Sequence, residues 1–308
     1  MNIQQLEYVI ALDDFRHFVS AAENCHVTQP TLTMQLKKLE EELDVLLFDR
    51  SKKPLKPTPE GVLFIAKARR ILKDINDLHG ALNGEKNSLK GQFRLGIIPT
   101  IAPHLLPLFL PLFAEKFADT RLVIEEMESE LIIKALHENR LDLAIMATPA
   151  GERDLQETVL FNESFVFYGP AEHPLLDKGL LSPDGLDANH LLLLSEGHCF
   201  RSQALNICKT KVSHPVFNFQ YESGSIETIK GLVKKGIGYT LIPELAISEG
   251  DKAHVRRFEQ PEPVREVSIV CHKSFNRPVL IDSIKTAVRN SLPAHITRPR
   301  EFVKIKWR

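Results

Sequence analysis

The chain has 308 residues, 43% of them hydrophobic and 26% charged, a globular composition long enough for about two domains that need no disulfide or metal staples. Thirty-nine Lys and Arg against forty Asp and Glu leave a net charge of −1, which excludes a protein basic throughout but not one with a basic patch. No apolar run approaches the ~18 residues of a membrane span, and MNIQQLEYVIALDDF has no export-signal pattern, so a cytoplasmic protein without membrane contact is expected.

Residues 1–90 carry apolar positions at helical spacing with no strand-like alternation. Phe18–Cys25 reads as a short helix and His26-Val27 as a turn. Thr28 is a suitable N-cap for a second helix, with Pro30 in the first turn where a missing N–H costs little. Leu32, Leu36, Leu39 and Leu43 form one buried stripe. Thr33, Met34, Lys37 and Lys38 lie away from that stripe, and Thr31 and Gln35 border it. Hydroxyls, an amide and lysines on an exposed helix face suit the donor and acceptor pattern of a DNA major groove. Glu40–Asp49 holds five acids, whereas Arg50–Lys73 holds eight bases and one acid. Arg50, Lys52, Lys53 and Lys56, spaced by Pro54 and Pro57, predict a basic wing for phosphate. Solvated charges beside an ordinary helical hairpin have the same local pattern.

Thr58-Pro59-Glu60 combines an N-cap, a first-turn proline and a favourable acid, and opens a long helix. Phe64, Ala68, Ile71, Ile75, Leu78 and Leu82 make a heptad seam along it, which suits pairing with a second helix or packing on its own domain. Asn83-Gly84 and Ser88–Gly91 read as a hinge. Beyond it, short apolar stretches (Phe93–Ile98, Leu122–Ile124, Leu141–Met146, Phe165–Tyr168, Leu191–Leu194, Val216–Tyr221, Gly238–Ile242, Val267–Cys271) alternate with helical patterns such as Glu130–Glu138 and Ile226–Lys235. That alternation predicts parallel α/β sheets.

Four cysteines are too few for a disulfide framework. Two of them fall in SEGHCFRSQALNIC, where Cys199 follows a glycine-containing turn and opens a helical pattern beside His198 and Arg201. A helix N-terminus and nearby cations both favour the thiolate, the form that attacks peroxide. On a continuous helix Cys199 and Cys208 would stand ~13.5 Å apart, whereas a disulfide needs Cα atoms within ~7 Å. Any bond between them therefore requires the segment to unwind. Both cysteines could instead be inert core residues. His198, Cys199, Cys208 and His214 could bind zinc, although the spacing fits no familiar module. A thiol peroxidase is a third alternative, with nothing in the pattern that suggests a peroxidase fold. No cofactor is expected.

The gapless run SAAENCHVTQPTLTMQLKKLEEELDVLLFDRSKKPLKPTPEG resembles the winged helix-turn-helix of LysR-type transcriptional regulators, with Cys25 where leucine is usual. Gly236–Pro243 resembles a turn-and-strand of their effector domain. The resemblance implies an all-α winged helix-turn-helix domain over 1–58 and a dimerisation helix and hinge over 59–90. An α/β effector domain follows over 91–308, with two Rossmann-like subdomains (about 91–162 with 268–300, and about 163–267) of periplasmic-binding-protein type. It implies binding of double-stranded DNA at a pseudo-palindromic operator by a homodimer or homotetramer, and contact with RNA polymerase. Thr28, Gln29, Pro30, Thr31, Thr33, Gln35, Lys37, Arg50, Lys52 and Lys53 would meet the DNA.

The pattern GHC-x-R-x-Q-A-x-x-x-C resembles the hydrogen-peroxide-sensing branch of the same family, as does the run Ile98–Pro107. By that resemblance Cys199 reacts with peroxide, Cys208 resolves the product into a disulfide, and a glutaredoxin- or thioredoxin-like protein reduces it. His198 and Arg201 match flanking residues, Thr100 and Ser129 match hydroxyls that hold peroxide, and Arg265 matches a nearby arginine. Ser202 and Asn218 depart from the aspartate and histidine usual at their positions. Cys271 is expected to be buried in a strand. A regulator that answers to a metabolite, with non-sensing cysteines, is the rival within the family.

Overall fold

The structure, a computed structural model, describes residues 1–82, 89–208 and 224–308. The expected strand Val216–Tyr221, His214, Asn218 and the Asn83-Gly84 part of the hinge lie outside the described residues. The chain divides into two compact units, Met1–Ser88 with Lys134–Arg140, and Leu89–Ile133 with Leu141–Arg308.

In the first unit, α1 (Ile3–Phe15) begins at Asn2, which shares a capping box with Gln5. α2 (Phe18–Asn24) and α3 (Gln29–Leu43) follow, and Thr28 caps α3 through the N–H of Thr31. Leu32, Leu36 and Leu39 are buried against Tyr8, Val9 and Leu12 of α1 and Ala21 and Ala22 of α2, with Leu43 and Cys25 partly buried beside them. The wing is a two-stranded antiparallel ribbon of β1 (Phe48–Asp49) and β2 (Lys56–Pro57). Glu40, buried at the end of α3, accepts the Leu47 N–H at 2.8 Å and the Arg50 guanidinium at 2.6 Å, which fixes the wing to the helix. α4 (Pro59–Leu82) packs so closely that a Cβ at Gly61 would stand 1.9 Å from the Leu47 carbonyl oxygen. Arg69 ties α4 to α1 through Asp13 at 2.8 Å and through Asp14. Along the expected seam Ala68 is buried and Phe64 packs on this core, while Ile71 is exposed. The seam therefore serves its own unit first. The side chains of Leu78 and Leu82 lie outside the described residues.

In the second unit, β3 (Gly91–Ile97) runs parallel to both β4 (Thr120–Glu126) and β5 (Leu143–Thr148), with α5 (Ala102–Lys116) and α6 (Ser129–His137) as connections. β9 (Glu262–His272) then joins β5 antiparallel, and β6 (Leu155–Tyr168) joins β9 antiparallel. The sheet expected to be parallel is thus parallel at one end, across β4, β3 and β5, and antiparallel from β5 through β9 to β6. β6 pairs with β9 as far as Ser164, and from Phe165 with β7 (Thr240–Pro243) and β8 (Val255–Arg257). α7 (Cys199–Cys208) and α8 (Ile226–Lys234) cover that end, and their core gathers Phe165, Phe167, Phe200, Ile207, Ile229 and Leu241. α9 (Pro278–Ser291) packs along α5, and β10 (Phe302–Lys304) lies parallel to β9. Leu191–Leu194 is not the expected strand. It makes one isolated bridge, Leu191 to Tyr239, and its leucines fill the core from an extended loop. Among the described residues no helix is long and apolar enough to cross a membrane.

One ion cluster secures the β7–β8 end. Asp251 is fully buried and accepts from Lys230 at 2.6 Å, Lys234 at 2.8 Å, Tyr168 at 2.7 Å and the Ser248 hydroxyl at 2.6 Å. Burial alone would raise its pKa, but the hydrogen bonds from Lys230, Lys234 and Ser248 outweigh that and hold the carboxyl well below the usual range. Its contribution to stability is complete above the ordinary carboxylate pKa of about 3.9 and fades as pH falls below it. Asp251→Asn removes the buried partner of Lys230, which keeps Glu227 and the Ala246 carbonyl at 2.9 Å each, and is expected to lower stability at pH 7 by about 3 kcal/mol in urea unfolding, with a smaller difference from the parent chain at pH 3.

Candidate functional site

In the first unit, the polar face of α3 leaves Thr28, Gln29, Pro30 and Lys37 exposed and Thr31, Thr33 and Gln35 partly so. Several of these groups are held by neighbours. The Thr28 and Thr31 hydroxyls stand 2.8 Å apart, Gln35 accepts from Gln5 at 3.4 Å, and Lys37 pairs with Glu41 one turn on at 3.5 Å. Arg50 is exposed, and one nitrogen of its guanidinium is held by the buried Glu40 at 2.6 Å. Lys52 and Lys53 are exposed at the tip of the wing. A hydroxyl- and amide-bearing helix beside a basic ribbon tip can read base edges with one element and hold phosphates with the other.

In the second unit, the first residue of α7 is Cys199, and it is buried. The turn before it is set by Gly197, whose φ of +93° and lack of a Cβ admit the Glu128 carboxylate. Thr100 follows the end of β3, Ser129 opens α6 just beyond β4, and Arg265 lies on β9; all three are buried. The structure therefore brings Cys199, Thr100, Ser129 and Arg265 together from four separate parts of the chain. Arg265 donates to the Thr100 hydroxyl at 2.9 Å and to the Thr100 carbonyl at 3.1 Å. Its guanidinium carbon stands 5.5 Å from the centre of the Phe200 ring. With the Thr100 oxygen already accepting from Arg265, its O–H is left to donate to an incoming oxygen. Ser129 faces the Cys199 sulfur, and its hydroxyl has no other hydrogen-bond partner among the described residues.

Electrostatics at the sulfur differ from the expectation drawn from the flanking residues. Burial pushes the Cys199 thiol above its ordinary pKa. The Ser129 contact, the Arg265 charge and the N–H groups of Phe200 and Cys199 itself pull the other way without overcoming it. His198 is disfavoured as a cation. Its own burial lowers its pKa against a weaker pull from Glu128, whose carboxylate lies 3.7 Å away. Arg201 donates to the Leu194 carbonyl at 2.9 Å and so serves the preceding loop. The cation that acts on the sulfur is Arg265, distant in sequence.

Arg265 has a partner that sequence reasoning missed. Glu163, fully buried on β6, faces it in the strand register and holds it at 2.7 Å, while also accepting the Leu245 N–H at 2.9 Å. A lone carboxylate in the apolar run FNESFVFY was the available signal. Cys208 ends α7 in the apolar core, where burial and the nearby Asp187 raise its pKa to about 11. Cys199 and Cys208 are both free thiols at opposite ends of one helix, ~13.5 Å apart by helical rise, too far to share a metal ion in this conformation. Cys271 is buried on β9, as expected, with Gln156 at 3.2 Å from its sulfur.

Comparison with known proteins gives two family matches. Residues 3–62 match the bacterial regulatory helix-turn-helix protein, lysR family, and residues 86–292 match the LysR substrate binding domain. A hydrogen peroxide-inducible genes activator of Haemophilus influenzae is 34% identical over 273 residues, 88% of this chain and 90% of that protein. A full-length OxyR variant from Pseudomonas aeruginosa superposes with a TM-score of 0.83 at 36% identity, covering 95% of this chain and 99% of that one. An H2O2-bound mutant of Corynebacterium glutamicum OxyR superposes with a TM-score of 0.64 at 26% identity over 96% of this chain and 94% of its own.

The buried pair can be separated from the chemistry it supports. Arg265→Met leaves Glu163 buried and unpaired, and is expected to cost about 3–5 kcal/mol in denaturant unfolding. Adding Glu163→Leu is expected to restore most of that loss, while Cys199 alkylates at pH 7.5 more slowly than in the parent chain because its cation is gone. Recovery of alkylation together with stability would show that Arg265 acts only through packing.

Proposed function

The chain belongs to the LysR family of transcriptional regulators and is OxyR-like along its length, and from that premise we propose that it is a hydrogen-peroxide sensor that acts through Cys199 and Cys208. The observation that carries this reading is a buried thiol acted on by the Ser129 hydroxyl and the Arg265 charge, with the Thr100 hydroxyl held by the same arginine and a second thiol on the same helix. Thr100 and Ser129 would donate to the peroxide oxygens, and Arg265 would stabilise charge on sulfur and on the departing oxygen. Burial keeps the resting thiol protonated and guards it against indiscriminate oxidants. Peroxide bound between the hydroxyls meets the small thiolate fraction already oriented for attack.

The chemistry takes two balanced steps. The Cys199 thiolate attacks one peroxide oxygen, the O–O bond breaks, and hydroxide leaves to give a sulfenic acid. The Cys208 thiolate then attacks the sulfenic sulfur and the S–OH bond breaks. The leaving oxygen takes a proton to become water, and a disulfide joins the two residues. The second step cannot occur on an intact α7, so the helix unwinds and Cys208 leaves the apolar core. In this reading α7 is the two-state element by which oxidation changes how a dimer or tetramer sits on its operator and meets RNA polymerase in the cytoplasm. A glutaredoxin- or thioredoxin-like dithiol returns two electrons to the disulfide and resets the chain.

DNA contact is assigned to Thr28, Gln29, Pro30, Thr31, Thr33, Gln35 and Lys37 at the groove, with Lys52 and Lys53 on phosphate. Arg50, exposed beside them, would meet phosphate as well while its pair with Glu40 holds the wing.

One equivalent of hydrogen peroxide, followed by alkylation and non-reducing peptide mass spectrometry, tests the sensor. A Cys199–Cys208 linked peptide is expected within seconds, absent from Cys199→Ser. In Cys208→Ser the sulfenic acid should persist and be trapped by a 1,3-dicarbonyl reagent. Free thiols throughout would overturn the sensor and favour a metabolite as effector.

A further inference from the structure

The segment 298–308 touches the sensing helix from outside the site described above. Arg298 and Arg300 enter a buried ion network at the crossover strands, with Arg298 on Glu244 at 3.0 Å and Glu262 at 2.9 Å, and Arg300 donating to the Asn162 carbonyl at 2.7 Å. β10 then runs parallel to β9, Phe302 to Lys304 beside Glu262 to Val264, and so ends next to Arg265. The next two carbonyls accept from α7. Gln203, itself fully buried, donates to the Ile305 carbonyl at 2.7 Å, and Asn206, one turn on, donates to the Lys306 carbonyl at 2.8 Å. Trp307 is buried and donates to the Ala147 carbonyl at the end of β5 at 3.2 Å. Arg308 pairs with Glu130 of α6, with Glu152 at 2.9 Å and with the Ala150 carbonyl at 2.8 Å.

These contacts have one direction of effect. The two carbonyls are held by backbone pairing on one side and by Trp307 and Arg308 on the other. The two α7 donors meet them only while Gln203 and Asn206 stand one helical turn apart on the same face. Unwinding α7 breaks both bonds and leaves the carbonyls of Ile305 and Lys306 to find other donors. We infer that residues 305–308 form a strap that holds α7 helical and so retards the opening that disulfide formation requires. The inference rests on the sensor reading for its consequence, but the restraint itself is a property of the reduced chain. The strap sets how readily the sulfenic acid is resolved, and hence how much peroxide must be present before the switch is thrown.

Two substitutions at exposed residues, one on α7 and one on the strap, test this without emptying the core: Asn206→Ala and Arg308→Ala. In the reduced full-length protein, amide hydrogen exchange along 199–208 is expected to quicken about tenfold in each, as one or two net hydrogen bonds of ~1 kcal/mol are lost. After peroxide, sulfenic acid formation at Cys199 should keep its rate, because neither residue touches the sulfur, while disulfide formation should quicken by a similar factor. Trp307 is the only tryptophan of the chain, so its emission should redden on oxidation as the strap loosens. Unchanged exchange along α7 in both variants would overturn the strap whether or not the chain senses peroxide. Unchanged resolution rates with faster exchange would also overturn it as a control on switching. Absence of any Cys199–Cys208 bond in the parent chain would instead overturn the sensor reading, and the exchange data would still judge the restraint.

Discussion

A ten-residue helix with a thiol at each end is the constraint on which the effector unit depends. Backbone hydrogen bonding fixes the rise, and the rise keeps Cys199 and Cys208 about twice as far apart as a disulfide tolerates. Everything around α7 then either holds that helix or waits on its release. Phe200, Ala204, Ile207 and Cys208 sink one face into the core beneath β6 and β7. Gln203 and Asn206 fasten the other to the 305–306 backbone. The helix is thus held by apolar burial and by hydrogen bonds together, and in the proposed switch a disulfide would have to compete with both.

The buried Arg265–Glu163 pair supplies the second half of the logic. A guanidinium placed near a sulfur could not stay in so dry an interior alone, and Glu163 compensates for its burial from the facing strand. The antiparallel register of β6 and β9 sets those two residues opposite each other. Thr100 uses the same cation, so charge, hydroxyl and thiol are held by one connected set of contacts. Burial still wins at Cys199, whose thiol remains above its ordinary pKa. In the proposed sensor such a site would discriminate by geometry, through what can bind beside the hydroxyls rather than through a permanently exposed thiolate.

Legibility in the sequence followed physical range. Local rules found the Thr28 cap, the leucine stripe of α3 and the start of α4, because capping and periodicity are read within a few residues. Lys37, Lys52 and Lys53 emerge on the surface for the same reason. Long-range effects were not legible from pattern. α5 forms through Pro107 and Pro111 because Leu105, Phe109 and Phe113 bury one face, an override of propensity by packing. The antiparallel placement of β9 depends on pairing between residues more than a hundred positions apart. At the site, Cys199, Thr100, Ser129 and Arg265 were named from family resemblance, and the structure brings them together. His198 and Arg201, adjacent to Cys199 in sequence, turn to Glu128 and to the Leu194 carbonyl, because sequence adjacency says nothing of where a side chain turns. Glu163 went unnoticed because its role exists only across two strands.

Cysteine-selective carbon-13 labelling tests the account most directly, because for each cysteine the Cβ shift reports thiol or disulfide and the Cα shift reports helix or not. On oxidation by peroxide, Cys199 and Cys208 should both move to the disulfide Cβ range while their Cα shifts leave the helical range, with Cys25 and Cys271 still. A chain that changes its DNA binding under peroxide while both Cα shifts stay helical would contradict the claim that unwinding of α7 is the switch.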